Sequence, residues 1–191
     1  MEHKKFKHAL DKSGDCADSG FSCEEKFKLL AEKRGYEVVV VGREMQFSHV
    51  DFILKKDGKQ WKFECKGRKK IRRADEDFAD HITWVEFKRT DGKNGWLYGS
   101  ADQVAIEQEN EFIIIARKDL QKLAEKLVDR TKTVDKAFKA HNVSYRRFNR
   151  RDEISYIDTS EIKKQKVKIW PKTNTTCQQE SSSPTTIAKD N

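Results

Sequence analysis

The chain lacks the features that mark exported and membrane-spanning proteins. None of its apolar runs approaches the ~20 residues that a membrane-crossing helix needs. The N-terminal segment MEHKKFKHALDKSGD has no apolar core of the kind found in secretory signal peptides. We therefore expect an intracellular, cytoplasmic protein that has no membrane partner.

Cysteine is sparse and scattered along the chain. The sequence contains four cysteines, Cys16, Cys23, Cys65 and Cys177, and none of them forms a C-x-x-C pair. This spacing argues against a zinc ribbon. Scattered cysteines in a chain without an export signal are typical of reduced thiols, which agrees with an intracellular setting.

Charge dominates what is present. Charged residues make up 38% of the 191 positions and apolar residues 36%, which fits one domain with a modest core and a densely charged surface. The 40 Lys and Arg outnumber the 32 Asp and Glu, giving a formal net charge of +8. A basic chain favours a polyanionic partner, either nucleic acid or an anionic membrane surface. The membrane surface is the weaker alternative because no amphipathic helix with a large apolar face is evident.

The composition divides the chain into four parts. We expect a loose N-terminal segment over 1–19 and a folded core over 20–140. A basic extension over 141–172 follows, and its aromatic residues suggest that it packs on the body. Residues 173–191 are rich in Thr, Ser, Gln and Asn, and this composition predicts a disordered tail.

Apolar periodicity predicts an α/β domain within the core. The first elements are a helix over 22–34 that ends at Gly35, a strand over 37–41, and a hairpin that turns at Asp57-Gly58. The later elements are a loop or short helix over 69–80, strands over 82–88, 96–106 and 112–116, and helices over 118–128 and 133–140. Together they predict a central mixed sheet of about five strands, flanked by helices.

The stretch from Asp51 to Lys66 carries the most informative pattern. Glu64 and Lys66 lie two residues apart on one predicted strand, so their side chains project from the same face. Phe63 and Cys65 point the other way, towards the core. A bent hairpin can bring Asp51, at the start of the partner strand, close to Glu64.

Two carboxylates and a lysine at one place suit metal-assisted hydrolysis. Hard cations such as Mg²⁺ prefer carboxylate oxygens, and a bound cation relieves the repulsion between clustered acids. The cation can also lower the pKa of a water and polarise a phosphate. A neighbouring lysine can orient the attacking water or stabilise charge that develops on the phosphate. The pattern therefore predicts a site for Mg²⁺ (or Mn²⁺).

The first predicted helix offers a third acid. Glu24 lies about 60° from Phe27 around the helix, at the edge of the buried face. Glu25 points roughly opposite Phe27, towards solvent. Glu24 is therefore the better candidate ligand.

These residues together resemble the PD-(D/E)XK nuclease superfamily. The resemblance rests on Glu24, Gly35-Tyr36, Val38–Val41, Val50–Ile53 and Phe63–Lys66. In that family a helix with a glutamate precedes a three-stranded hairpin unit that carries the aspartate and the E-x-K element. The layout is most similar to archaeal Holliday-junction resolvases and to small resolvase-like phage and bacterial proteins. It covers residues 20–70 well, and beyond them only the alternation of strands and helices fits.

The resemblance implies a restriction-endonuclease-like core and a metal-dependent endonuclease acting on DNA. It implies that Asp51 and Glu64 bind the metal, that Glu24 is an accessory ligand, and that Lys66 is catalytic alongside the two acids. A branched or otherwise structured DNA and a homodimer follow from the likeness to resolvases. The sequence departs from the family in two places. Val50 stands where the motif has proline, and the helix that normally follows E-x-K cannot be placed within 69–80.

Other interpretations of the same residues stay open. Asp51, Glu64 and Lys66 could belong to an exposed hairpin face with a cross-strand ion pair. The chain could also be a nucleic-acid-binding protein whose nuclease fold is catalytically silent. Two basic groups are either phosphate contacts or solvated surface: Lys69, Lys70, Arg72 and Arg73, and Arg146, Arg147 and Arg150.

Overall fold

A computed structural model describes residues 15–72 and 74–172, with only the backbone described for 15–22. The predicted tail over 173–191, most of the predicted loose segment over 1–19, and Arg73 lie outside the described residues. The helices are α1 (Asp15–Lys33), α2 (Arg43–Phe47), α3 (Arg117–Leu127) and α4 (Thr159–Lys163). The strands are β1 (Glu37–Val40), β2 (Phe52–Lys56), β3 (Lys59–Lys66), β4 (Ile82–Lys88), β5 (Gln103–Glu107), β6 (Glu111–Ala116), β7 (Asp129–Val134), β8 (Val143–Tyr145), β9 (Glu153–Asp158) and β10 (Val167–Pro171).

The larger sheet has six strands in the order β1-β2-β3-β5-β6-β10. Neighbouring strands are antiparallel except β3 and β5, which run parallel with Glu64 opposite Val104. A parallel pair needs a crossover connection. Here residues 67–102 make that crossover, and they include β4 and a 3₁₀ turn at Trp96–Tyr98.

A second, four-stranded sheet has the order β4-β9-β8-β7. Residues 141–172, expected to be an extension packed on the body, supply β8 and β9 to this sheet and β10 to the larger one. The α/β class is therefore confirmed, but the expected strand number is too low. The larger sheet has six strands, and the other four form a sheet of their own.

The two faces of the larger sheet pack on different layers. On one face Phe27 of α1 lies against Phe63 and Phe112, with both pairs of ring centroids 5.3 Å apart. Cys23 and Cys65 are buried in the same cluster as free thiols. The opposite face packs on α3 and on the second sheet through buried residues, among them Val104, Ile106, Leu120, Val85 and Ile157.

Local sequence signals placed the end of the first helix and the hairpin well, but α1 begins at Asp15 and not at residue 22, so it includes part of the segment that was expected to be loose. Helix α1 ends at Lys33, and the chain turns away at Gly35, where φ is +77° and the N–H donates to Glu32 O at 2.9 Å. The hairpin turns at Asp57 and Gly58, both with positive φ, as predicted. The predicted strands over 37–41, 82–88 and 112–116 correspond to β1, β4 and β6, and the predicted helix over 118–128 corresponds to α3.

Two later predictions were wrong in part or in whole. The predicted strand over 96–106 begins as the 3₁₀ turn, and β5 starts only at Gln103. The predicted helix over 133–140 is instead the end of β7 and a 3₁₀ turn at Ala137–Lys139. Thr133 pairs with Ser144 in the second sheet, so tertiary strand pairing overrides the local preference. The short helix α2 was not predicted.

The loop after E-x-K is irregular throughout its described part. Between β3 and β5 the described residues contain no α-helix, so the alternative of a short helix over 69–80 does not hold. Trp84 on β4 connects this loop to the second sheet, because its indole N–H donates to Lys70 O at 3.3 Å. None of the described helices is both long and apolar enough to pass through a membrane.

Candidate functional site

Asp51 is pinned across the hairpin, immediately before β2. Its N–H donates to Phe63 O at 2.8 Å, and the Cys65 N–H donates to its Oδ2 at 2.8 Å. These two bonds hold the Asp51 carboxylate beside Glu64 on β3. The structure therefore brings the two predicted acids together.

Glu64 and Lys66 share one face of β3, as the strand spacing predicts. Phe63 and Cys65 point into the cluster under α1. The Lys66 ammonium makes a close ion pair with Glu64 Oε1, while Glu64 Oε2 is buried and has no hydrogen-bond partner. Glu64 is only 4% exposed, so the alternative of an exposed hairpin face is wrong for this residue.

The position of Glu24 on α1 agrees with the helix face predicted for it. Glu24 on α1 is half-buried and Glu25 is exposed, which agrees with the predicted helix face. Burial raises the pKa of the Glu24 carboxyl, and the negative charge of Glu64 raises it further. Glu24 therefore lies close enough to sense the charge of the hairpin acids.

His49 is a site residue that sequence reasoning missed. Its Nδ1 lies 3.8 Å from Glu64 Oε1, and its Nε2 is buried without a partner. The residue adopts a positive φ of 60°, and Gly99 approaches it so closely that a Cβ there would lie 2.6 Å from His49 Cβ. The only sequence signal was its position two residues before Asp51.

Glu86 on β4 is the second residue that the sequence analysis missed. It is half-buried; burial raises the pKa of its carboxyl, and the charge of Lys66 offsets part of that rise. The strand pattern held a signal for it, because Thr83, Val85 and Phe87 are buried and leave Glu86 on the other face.

The two acids and the lysine differ in how burial and neighbouring charges shift their pKa values. Burial, and then repulsion by Glu64, raises the pKa of Asp51 to about 7. Burial also acts to raise the pKa of Glu64, but Lys66 and His49 outweigh it and hold the pKa below its usual range. For Lys66, burial acts to lower the pKa, but the charges of Glu64 and Asp51 raise it. Glu64 and Lys66 are therefore the ionised pair, and Asp51 is the acid that a nearby cation would most affect.

The donor chemistry fits a hard cation at Asp51 and Glu64. Both are carboxylates, and one oxygen of Glu64 is buried without a partner. Across the described ranges, however, His, Cys, Asp and Glu side chains are nowhere grouped in threes that could hold a metal ion. In this conformation Glu24 is thus near the pair without completing a three-ligand set.

A cleft of about 680 Å³ opens beside the site, between the loop after β3 and strand β4. Lys66 and Trp96 both line it, with the Lys66 ammonium 5.2 Å from the centroid of the Trp96 ring. Four of the predicted nucleic-acid contacts line the cleft: Lys69, Lys70, Arg72 and Arg147. Arg147 of the second basic group thus lies in the same cleft as three residues of the first, although the two groups are far apart in sequence.

The remaining predicted contacts are placed elsewhere. Arg146 lines a separate depression with Lys88 and Arg130 on the second sheet. Arg150 is absent from the cleft lining, and its N–H donates to Arg147 O at 3.1 Å. Arg73 lies outside the described residues.

Comparisons of this chain with models of protein families, with curated proteins and with solved structures found no match. Its function is therefore argued from the chemistry of the site.

Proposed function

We propose that this protein is a metal-dependent endonuclease that hydrolyses phosphodiester bonds in DNA, with Asp51, Glu64 and Lys66 as its catalytic residues. One observation carries the proposal. Lys66 holds one oxygen of the buried Glu64 carboxylate, and the other oxygen has no partner. A buried acceptor without a partner is rare and costly in folded proteins, and a bound cation would satisfy it.

Asp51 and Glu64 would hold Mg²⁺ or Mn²⁺, and Glu24 would complete the set after a change of side-chain conformation. When bound, the ion supplies Lewis-acid polarisation of the scissile phosphate and a water of lowered pKa. Lys66 would keep Glu64 ionised and donate to the phosphate or the attacking water. The Cys65 N–H fixes Asp51 Oδ2, which orients that carboxylate.

The order of the elements supports a restriction-endonuclease-like core. Helix α1 carries Glu24, strands β1 to β3 form an antiparallel unit with both acids, and β5 returns parallel to β3. The chain departs from the family where the helix after E-x-K is expected. Strand β4 of the second sheet lies in the crossover there, and residues of the second sheet line the cleft.

The basic cleft would hold the DNA backbone beside the acids. Binding that rests on lysine and arginine contacts to phosphate should weaken steeply with added salt. A branched or otherwise structured DNA is the proposed substrate, and a homodimer would place two such sites for paired cuts. Light scattering that shows a dimer, together with paired nicks on a four-way junction, would support this subclass; a monomer that cuts linear duplex would exclude it.

A silent nucleic-acid-binding protein is the second candidate, and one observation favours it. Lys66 already neutralises Glu64, and within the described residues no third acid joins the pair in a ligand set. Binding that persists in chelator, with no cleavage in any divalent metal, would establish this candidate.

Cleavage of labelled four-way junction, duplex and single-stranded DNA tests the proposal directly. We expect cleavage that requires Mg²⁺ or Mn²⁺ and falls by more than about a hundredfold in Glu64→Gln, which keeps the shape of the side chain and removes its charge. Glu25→Gln is the matched control, because Glu25 is an exposed glutamate of the same helix that carries Glu24. Cleavage in chelator, or full activity in Glu64→Gln, would refute the proposed site.

A further inference from the structure

Two exposed phenylalanines stand at the rim of the cleft. Phe78 is 45% exposed and Phe138 is 41% exposed. Neither ring is part of a buried hydrophobic cluster, yet each adjoins a residue of the cleft lining, Ala79 and Ala137 respectively. An aromatic ring with part of its surface open to solvent can stack against another planar ring.

Cations of the cleft lining hold both rings in place. The Arg68 guanidinium lies 4.8 Å from the centroid of Phe78, and the Arg72 guanidinium lies 4.4 Å from that of Phe138. Lys70 approaches Phe78 as well, at 5.9 Å. Each ring is thus fixed by a cation–π contact while much of its surface stays open to solvent.

The charge of the cleft identifies the chemistry of its occupant. Three of its cations are already paired with acids: Lys66 with Glu64, Arg68 with Asp80, and Arg147 with Asp152. Lys69, Lys70 and Arg72, by contrast, take part in none of the ion pairs found among the described residues. Lys70 and Arg72 also contact the exposed rings, and Lys69 lines the same cleft, so the cleft suits a ligand that is both polyanionic and aromatic.

We infer that the cleft takes a single-stranded stretch of DNA whose unpaired bases stack on Phe78 and Phe138 while its phosphates contact Lys69, Lys70 and Arg72. Flat rings beside a positively charged groove are how proteins bind single strands without reading sequence. A duplex buries its base faces in its own stack, so it could use the cations but not the rings. The inference deepens the proposed function by naming unpaired DNA beside the cutting site as the substrate class.

Binding in chelator tests the inference without any cleavage. The probes are a fluorescent single strand of about 16 nucleotides, the same strand with abasic sites in place of its bases, and the matching duplex. The abasic strand keeps the phosphates and removes the stacking faces. We expect the full-length wild-type chain to bind the normal strand more than about tenfold more tightly than the abasic strand.

Substitution of the rings should reproduce the effect of removing the bases. Phe78→Ala and Phe138→Ala should each weaken binding of the normal strand about tenfold, with a change under about twofold for the abasic strand and the duplex. Phe78→Trp should keep the affinity because it keeps a stacking face. Phe47→Ala is the matched control, since Phe47 is an exposed phenylalanine of α2, and neither Phe47 nor its neighbours in sequence line the cleft.

Two results would overturn the inference. One is equal affinity of the wild type for the normal and abasic strands. The other is an equal loss for all three probes in the two alanine variants, since the duplex acts as an internal check on folding. Cleavage reports separately on the proposed function. Base stacking without cleavage would support this inference and refute the proposed nuclease activity. Metal-dependent cleavage that is unchanged in both alanine variants would support the nuclease activity and refute this inference.

Discussion

At Asp51 burial and charge act in the same direction. Desolvation and the neighbouring Glu64 raise the pKa of Asp51 to about 7, while Lys66 keeps Glu64 ionised. The folded protein therefore binds a proton at Asp51 that the unfolded chain releases at lower pH. The contribution of Asp51 to the free energy of unfolding therefore falls as the pH rises from about 4, the unfolded pKa of aspartate, to about 7, the folded one, and levels off above it.

Asp51→Asn should remove this penalty. Asparagine can still accept the bond from the Cys65 N–H, but it carries no charge. In chelator at pH 8 we expect the variant to have a free energy of unfolding higher than the wild type by up to about 4 kcal/mol, with near equality at pH 4. Urea denaturation at the two pH values measures this difference. A variant less stable than the wild type at pH 8 would show that Asp51 is not repelled in the folded state.

Strand spacing was enough to pair Glu64 with Lys66 and to turn Phe63 away, because side-chain alternation is a local property. His49 could not be found in this way. Its position depends on a positive φ and on the close approach of Gly99. Sequence periodicity predicts neither of these features. The placement of Glu86 also depends on how β4 folds back over the site.

At the scale of elements, the 3₁₀ turn is pressed against β4. A Cβ at Gly95 would lie 2.3 Å from Glu86 O and 2.8 Å from Glu86 Cγ. The backbone φ of Gly95 is −78°, so space and not conformation requires glycine there. This contact places Trp96 under the Lys66 ammonium and so connects β4 to the site.

Gly95→Ala should therefore push the turn away from β4. We expect a loss of roughly 1–3 kcal/mol in the free energy of unfolding, as for other overpacked positions. We also expect reduced cleavage, because Glu86 and Trp96 would move. Gly42→Ala is the control, since Gly42 also has φ of −78° and a Cβ there would meet nothing within 4 Å. Equal stability of the two variants in denaturant would show that the turn can relax freely.

At the scale of the whole molecule, the sequence predicted the parts that are local. Helix α1, the hairpin and the acids lie within one continuous stretch, and their signals are turn residues and periodicity. The second sheet joins β4 to β9, which are distant in sequence, so no local pattern could reveal it. The same pairing brings Arg147 to the cleft that Lys69 and Lys70 line. The sequence could therefore identify both basic groups, but it could not show that Arg147 lies beside the first group.

The central proposal for the whole molecule is that Asp51 and Glu64 bind a metal ion. The alternative is that Glu64 is only the structural ion-pair partner of Lys66. Titration calorimetry of the full chain with Mn²⁺, in the absence of DNA, measures this directly. We expect about one or two Mn²⁺ ions per chain for the wild type and for Glu25→Gln, and loss of binding in Asp51→Asn and Glu64→Gln. Mn²⁺ that fails to bind the wild type, or that binds Glu64→Gln equally well, would contradict the claim and leave Lys66 as the resident partner of Glu64.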